Sequence, residues 1–124
     1  MGTASKLILC VEDDFDTQEM LGVLIRQRGY NFKATGSCAE ALRMAQQEEV
    51  ALILLDSLLT DGNGIDLCRQ IRHLNMQTPI IFISGTAHRE ERDEALQAGA
   101  NAFLTKPFEL NDLFAVLDAY APLP

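Results

Sequence analysis

Apolar and polar positions follow two patterns along the chain: short continuous apolar runs, and longer segments with apolar residues at helical spacing. The continuous runs are typical of strands buried on both faces of a sheet, and they lie at 6–11, 31–35, 51–56, 79–84 and 102–106. An amphipathic segment follows each run, which predicts helices at 16–27, 37–47, 65–74, 89–98 and 109–120. The repeated strand-helix order predicts an α/β fold, in which a five-stranded parallel sheet is doubly wound with helices on both faces.

Several predicted helices carry capping residues at their ends. Asp16 and Glu19 form an Asp-x-x-Glu pattern at the start of the first helix, and Ser37 and Glu40 form a capping box at the start of the second. Gly99 is a typical residue for ending the fourth helix. The apolar stripe predicted for the first helix consists of Met20, Leu21, Leu24 and Ile25.

Length and charge narrow the class of protein. The chain has 124 residues, which is typical of a single domain; we predict a tail at 1–5, a domain at 6–120, and a second tail or the start of a linker at 121–124. The net charge of −8 argues against direct binding to nucleic acid. No apolar run approaches the roughly 18 residues of a membrane span, and the N-terminal MGTASK lacks the apolar segment of a secretory signal.

The three cysteines show neither the spacing of a metal site nor that of a disulfide framework. Unpaired thiols of this kind favour a reducing, cytoplasmic location. We interpret them as small apolar residues in core or helix positions. They are Cys10, Cys38 and Cys68.

Polar side chains stand at the ends of four predicted strands. Glu12 and Asp13 follow the first strand, Asp56 ends the third, Ser84 ends the fourth and Lys106 ends the fifth. Because the carboxyl ends of parallel strands meet at one edge of a sheet, we expect these groups to lie together. Carboxylate oxygens suit Mg²⁺ or Mn²⁺, and such a cation would offset the repulsion between neighbouring acids. A carboxylate beside the cation can attack phosphorus and form an acyl phosphate.

With these motifs in this order, the chain resembles the receiver domains of the two-component response-regulator family, over about residues 6–120. The resemblance implies a flavodoxin-like (βα)5 fold with strand order 2-1-3-4-5. It also implies a signalling domain, not a turnover enzyme, that takes a phosphoryl group from a histidine kinase or a histidine phosphotransfer protein. The signal would then pass to an output domain or protein.

The resemblance assigns a role to each residue near the acidic cluster. Asp56 is the expected phospho-acceptor, and Glu12 and Asp13 are the expected acidic pair that holds Mg²⁺. The backbone carbonyl of Leu58 is expected to complete the protein's ligands. The run of three acids also allows a shifted pair, Asp13 and Asp14.

Three further residues are implied to respond to the phosphoryl group. Lys106 is expected to bind a phosphoryl oxygen, and Ser84 to hydrogen-bond the group once Asp56 is modified. Phe103 stands where the family has a rotating aromatic switch. Taken by itself, an aromatic residue in a strand is also typical of the hydrophobic core. Their movement would change the surface formed by helix 4, strand 5 and helix 5.

The chain departs from the family pattern near the acceptor. Thr60 stands where the family usually has a proline, which adds freedom to the loop at 60–64 without removing a ligand. Small or polar residues are common at the positions of Leu58 and Thr86. We therefore hypothesise that the aliphatic Leu58 hinders water and slows dephosphorylation.

The sequences of the predicted surface helices identify neither a partner nor an oligomeric state. The charged run at 88–94 is predicted to be mostly a solvated helix face, with a part in an output surface as the alternative, and His73 and His88 are predicted to face solvent. The segment 110–120 is acidic and lacks Lys and Arg, so a monomer and a phosphorylation-dependent dimer both remain open.

Three other functions fit the residues less well than a receiver domain does. An aspartyl-phosphate phosphatase of the haloacid-dehalogenase type needs a second Asp two residues after the nucleophile, where this chain has Leu58. A flavin or nucleotide binder needs a phosphate-cradling loop after the first strand, where this chain has acids. A pseudo-receiver, which binds proteins without phosphorylation, is the remaining alternative.

Overall fold

The computed structural model describes residues 6–85 and 88–124, so the predicted tail at 1–5 and Thr86 lie outside the described residues. The five long strands of this part of the chain are β1 (Leu7–Val11), β2 (Asn31–Thr35), β3 (Val50–Asp56), β4 (Ile80–Ser84) and β5 (Ala102–Thr105). Its helices are α1 (Phe15–Gln27), α2 (Cys38–Gln47), α3 (Gly64–His73), α4 (Arg89–Ala98) and α5 (Leu110–Tyr120). Each lies within one or two residues of its predicted position.

The strands form one parallel sheet in the order β2-β1-β3-β4-β5, which confirms the predicted topology. The register then decides which polar residues become neighbours at the carboxyl edge. Val11 pairs with Leu55, so the residues that follow β1 lie beside Asp56 at the end of β3. Ser84 pairs with Thr105, which places Lys106 just beyond the end of β4.

Apolar side chains fill both faces of the sheet. On one face α1 and α5 cover strand residues such as Ile8 and Leu54, and on the other face α2, α3 and α4 cover residues such as Leu9 and Phe82. The three central strands are therefore buried on both sides, which explains their continuous apolar sequences. Cys10 and Cys68 are buried in these two layers, as the sequence predicted, and Cys38 is partly buried.

Helix α1 begins one residue earlier than expected, and its predicted cap is wrong. The backbone N–H of Thr17 donates to the Asp14 side chain at 2.9 Å, so Asp14 is the N-cap and Asp16 lies in the first turn. Met20 was wrongly placed in the apolar stripe, because half of its surface is exposed, whereas Leu21 and Ile25 are buried. The buried face of α1 consists of Leu21, Gly22 and Ile25, and Met20 lies outside that face.

The other helix ends follow the sequence more closely. The Glu40 backbone N–H donates to Ser37 Oγ at 3.2 Å, so Ser37 caps α2 as expected. Gly99 ends α4 in the left-handed region at φ 114°, where glycine has no side chain to strain. His73 and His88 are both exposed, as predicted.

The region after β3 is more ordered than the loop predicted at 60–64. Leu58–Leu59 pairs with Gly62–Asn63 as a short antiparallel hairpin. At the other end of the fold, the Tyr30 hydroxyl donates to the carbonyl of Ala121 at 2.8 Å, and Ala121 is only 2% exposed. No helix in residues 6–85 and 88–124 combines the length and the apolar character that crossing a bilayer requires.

Gly64 begins α3 at a point of very close packing. A Cβ atom at Gly64 would lie 2.5 Å from the carbonyl oxygen of Asp56 and 3.0 Å from Cε1 of Phe82. The first contact is with backbone, which cannot rotate away as a flexible side chain can. Glycine is therefore needed here for the close approach of α3 to the end of β3.

We predict that Gly64→Ala lowers the free energy of unfolding by about 1–3 kcal/mol, the usual cost of forcing extra atoms into a packed site. Urea denaturation of both proteins measures the change. Gly85→Ala is the matched control, because a Cβ there meets nothing within 4 Å. Equal unfolding midpoints for Gly64→Ala and wild type would contradict the packing argument.

Candidate functional site

Three carboxylates meet at the carboxyl edge of the sheet. Glu12 and Asp13 follow β1, Asp56 ends β3, and one oxygen from each lies within 4.8 Å of the others. Glu12 is buried, Asp56 is half-buried and Asp13 is exposed, so the group opens to solvent on one side. The parallel pairing of β1 and β3 produces this cluster, since it sets their ends side by side.

Lys106 enters the same cluster from the end of β5. Its Nζ lies 2.6 Å from Glu12 Oε1 and 3.6 Å from Asp56 Oδ2. Its backbone N–H donates to the carbonyl of Ser84 at 2.7 Å, which continues the pairing of β5 with β4 beyond the strand. The peptide bond between Lys106 and Pro107 is cis. The two distances from Nζ show that the ammonium group bridges Glu12 and Asp56, the two less exposed carboxylates of the cluster.

The members of the cluster shift one another's pKa values in different directions. Burial, followed by a hydrogen bond and charge repulsion from Glu12, raises the pKa of Asp56 to about 6, against the opposing effect of Lys106. Burial also acts to raise the pKa of Glu12, but hydrogen bonds with Asp56 and Lys106 outweigh it and leave that pKa below its usual value. Burial acts to lower the pKa of Lys106, and its carboxylate partners raise it overall. Glu12 and Lys106 thus form a stable ion pair, and Asp56 is the weaker acid.

The donor set fits a hard divalent cation. Octahedral Mg²⁺ holds oxygen ligands at about 2.1 Å, which places pairs of ligands roughly 3–4.2 Å apart. The carboxylate oxygens of Glu12, Asp13 and Asp56 lie within 4.8 Å of one another, which is close to that spacing. The Leu58 backbone N–H bonds to the Asp56 side chain, which keeps Leu58 beside the cluster; its carbonyl remains a predicted ligand.

Asp14 has a different place from the other two acids of the run. Its carboxylate accepts hydrogen bonds from the backbone N–H and the hydroxyl of Thr17, at the start of α1. These bonds lower the pKa of Asp14. The geometry therefore favours Glu12 and Asp13 over Asp13 and Asp14 as the acidic pair, and the roles of both residues stay predictions.

Asp61 holds the loop after β3 in a way that the sequence analysis missed. Its carboxylate accepts hydrogen bonds from the backbone N–H groups of Cys38 and Ala39, at 2.8 and 3.4 Å, and from the Ser37 hydroxyl at 3.0 Å. The bonds to Cys38 and Ser37 bring the pKa of Asp61 down to about 2. The carboxylate thus anchors the loop to the start of α2, which limits the freedom expected from Thr60.

Ser84 lies at the centre of a second polar group. It is 1% exposed, and its Oγ donates to Glu91 Oε1 at 2.8 Å while accepting from Ser57 Oγ at 3.1 Å. The sequence pattern assigns no site role to Ser57 or to Glu91. The prediction that 88–94 is mostly a solvated face is confirmed, and Glu91, which is half-buried on α4, is the exception. The charged run alone held no signal that one of its acids turns inward.

Phe103 occupies the boundary between β5 and α4. Its ring stacks on that of Phe82 with a centroid distance of 6.3 Å, and the Arg92 guanidinium lies over the Phe103 ring, 5.3 Å from its centre. The side chain is partly buried. It therefore contacts both the core and the surface helix.

An open cavity of about 600 Å³ connects these groups. Asp56, Lys106 and Ser84 line it at the sheet edge, and Arg69 and Glu91 line it from α3 and α4. The cavity is large enough for a phosphate-sized group beside Asp56. Such a group would meet a lysine, a hydroxyl and an acid cluster suited to a cation, which is the arrangement needed for phosphoryl transfer to a carboxylate.

Comparison with known proteins agrees with this geometry. Residues 8–118 match the family model described as the response regulator receiver domain. Among solved structures, the receiver domain of a sensor histidine kinase from Pseudomonas aeruginosa PAO1 aligns with a TM-score of 0.86 and 31% identity, over 94% of this chain and 98% of that one. That protein was crystallised with a magnesium ion coordinated in its active-site cleft.

Curated relatives are longer proteins. The cell cycle transcriptional regulator CtrA of Caulobacter vibrioides is 30% identical over 112 residues, which cover 90% of this chain and 48% of that protein. The DNA-binding response regulator MtrA of Mycobacterium tuberculosis is 32% identical over 115 residues, which cover 93% of this chain and 50% of that protein. This chain thus spans about half the length of the curated relatives that it matches.

We predict that Lys106→Met raises the pKa of Asp56 further above 6, because the ammonium is the strongest of the influences that favour the ionised carboxylate. A carbon-detected NMR titration of the side-chain carboxyls, without divalent cations, measures the value. Lys33→Met is the control, since Lys33 pairs with Glu48 at the surface. An unchanged or lower value for Asp56 in Lys106→Met would show that the lysine does not act on it.

Proposed function

This chain belongs to the family of response regulator receiver domains, and we propose that it signals by accepting a phosphoryl group on Asp56 with Mg²⁺ bound. The observation that carries the proposal is the meeting of Glu12, Asp13 and Asp56 within 4.8 Å, with Lys106 2.6 Å from Glu12. These residues stand at the ends of three strands, and Ser84 stands at the end of a fourth. Mn²⁺ would fit the same oxygen ligands.

The proposed donor is a phosphohistidine of a histidine kinase or of a histidine phosphotransfer protein. An ionised oxygen of Asp56 attacks phosphorus, an O–P bond forms, and the P–N bond breaks with its electron pair returning to the imidazole. With a pKa of about 6, Asp56 is mostly ionised near neutral pH even before a cation binds. Bound Mg²⁺ would neutralise charge on the phosphoryl oxygens.

Lys106, Ser84 and Phe103 are each proposed to respond to the phosphoryl group in a different way. Lys106 is close enough to Asp56, at 3.6 Å, to donate to a phosphoryl oxygen attached there. Ser84 is the proposed hydroxyl donor from β4, and Phe103 is the proposed aromatic that follows it. The added charge and acceptor oxygens would shift the population of states at α4, β5 and α5, which an output domain or a separate protein would read.

Helix α1 offers a surface for the phosphoryl donor protein. Phe15 and Val23 are 67% and 52% exposed, and Met20 is 50% exposed, on a helix that begins beside the acidic pair. Met20 and Val23 are three residues apart and therefore neighbours on the helix surface, and apolar side chains exposed side by side are typical of protein contact surfaces. They support a protein donor that docks on α1 and presents its phosphohistidine to Asp56. We further propose that the domain acts in the cytoplasm and contacts proteins, with no direct contact to nucleic acid.

The first test is intact mass after incubation with acetyl phosphate and Mg²⁺. We expect one phosphoryl adduct on wild type, none on Asp56→Asn, and none when a chelator removes the cation. Asp66→Asn is the control, because Asp66 lines the same cavity from α3 and is expected to leave the adduct intact. Absence of the adduct on folded wild type, sampled before hydrolysis, would favour the pseudo-receiver alternative.

We also predict that Leu58→Asn shortens the half-life of the acyl phosphate severalfold. Leu58 is 75% exposed and lines the same cavity as Asp56, so we expect its aliphatic side chain to hinder the approach of water. An amide side chain would leave that direction polar and could hydrogen-bond the attacking water. Loss of the adduct over time, followed by mass, measures the half-life. Leu74→Asn, an exposed leucine at the end of α3, is the control, and equal half-lives for Leu58→Asn and wild type would end the hypothesis.

A further inference from the structure

We propose that Glu91 is a positioning residue that holds the Ser84 hydroxyl away from Asp56 in the unmodified protein and must release it when a phosphoryl group arrives. The inference rests on the proposed function, because it concerns how the same site responds to its modification. Its starting point is the 2.8 Å hydrogen bond from Ser84 Oγ to Glu91 Oε1, which joins β4 to α4.

The direction of this hydrogen bond follows from the chemistry of its members. An ionised carboxylate only accepts hydrogen bonds, so the proton between Ser84 and Glu91 belongs to the serine. A hydroxyl has one proton, and Ser84 therefore accepts, rather than donates, in its 3.1 Å contact with Ser57 Oγ. The single proton of Ser84 is committed to Glu91.

A phosphoryl group on Asp56 would need the same hydroxyl proton of Ser84 that Glu91 accepts. Phosphoryl oxygens carry negative charge and act as acceptors, so Ser84 can serve them only by donating its proton. Ser84 cannot donate a full hydrogen bond to Glu91 and to the phosphoryl group at once. The two states are mutually exclusive, and the Glu91 bond stabilises the unmodified one.

Helix α4 is held in a way that lets Glu91 move. The buried residues of α4 are the small Ala95 and Ala98, both in its second half, whereas Arg89 and Glu90 in its first turn are exposed. His88, the N-cap, provides no side-chain hydrogen bond to that turn. A helix start with little buried apolar surface opens at low free-energy cost, so loss of the Glu91 bond is expected to loosen it.

The next residue of α4 connects this release to the surface. Arg92 follows Glu91, and its guanidinium lies 5.3 Å from the ring centre of Phe103. A shift of the first turn of α4 therefore also shifts the cation packed on Phe103. This contact gives a physical path from the Ser84 hydroxyl to the aromatic ring on β5.

The experiment measures the affinity for beryllofluoride, a phosphoryl mimic, at saturating Mg²⁺ by ¹⁹F NMR. We expect Glu91→Ala to bind it about tenfold more tightly than wild type, since breaking a charge-assisted hydrogen bond no longer opposes binding. Glu90→Ala is the matched control: it removes an acid from the same exposed turn and is expected to bind as wild type does.

A double-mutant cycle separates this role from simple charge repulsion. In the Ser84→Ala background, Glu91→Ala is expected to change the affinity less than about twofold, because the hydroxyl that couples Glu91 to the site is gone. Equal tightening with and without the hydroxyl would mean that Glu91 acts by its charge alone, which overturns the proposal. Equal affinities for Glu91→Ala and wild type would overturn it as well.

A second readout uses the unmodified protein. Hydrogen exchange of the first-turn amides of α4 is expected to be faster in Glu91→Ala than in Glu90→Ala, and equal rates would contradict the anchoring role. If wild type neither binds beryllofluoride nor takes a phosphoryl group from acetyl phosphate, the proposed function itself fails. If wild type does both and Glu91→Ala behaves as Glu90→Ala, only the inference about Glu91 fails.

Discussion

The repulsion between carboxylates at one edge of the sheet is the constraint on which the site depends. Glu12, Asp13 and Asp56 lie within 4.8 Å of one another, and Glu12 is 4% exposed. Such a cluster would cost free energy if each acid were ionised without a partner. Lys106, 2.6 Å from Glu12, offsets part of that cost and leaves Asp56 with a raised pKa. The site is thus prepared for additional positive charge and for a change at Asp56.

The fold can hold this charge because its other parts are rigid. Both faces of the central strands are buried in apolar layers, and α3 begins so close to β3 that Gly64 admits no side chain. Asp61 fixes the intervening loop to the start of α2 through three hydrogen bonds. By contrast, α4 buries only small residues, and its first half meets the site through Glu91. The rigid and the movable sides of the site therefore come from different helices.

This division gives the polar groups distinct tasks. The acids after β1 and β3 are held by backbone pairing in the sheet, which is suited to binding a cation in a fixed place. Ser84 is held between Ser57 and Glu91 by hydrogen bonds that a phosphoryl group can replace. Signal transmission in a receiver domain needs both properties, since the acceptor must be positioned before the reaction and its neighbours must respond after it.

The sequence by itself determined the order of strands and helices, the parallel sheet and the four strand ends that form the site. Those features follow from local patterns: continuous apolar runs, helical spacing, and the rule that parallel strands end at one edge. It failed where the answer depended on rotation of a helix or on contacts distant in the chain. Only the tertiary structure moved Met20 to the surface, assigned the α1 cap to Asp14 and brought Asp61 to α2.

Glu91 is the clearest example of a residue whose contacts only the tertiary structure decided. In the sequence it is one charge in a run of charges, and only its helical spacing from Ala95 and Ala98, four and seven residues later, distinguishes it from Glu90. Its place against Ser84 is decided by how α4 packs on the sheet through Ala95 and Ala98, which turns one acid inward and leaves the other exposed. Local pattern fixes which elements form, whereas the packing of those elements fixes which side chains meet.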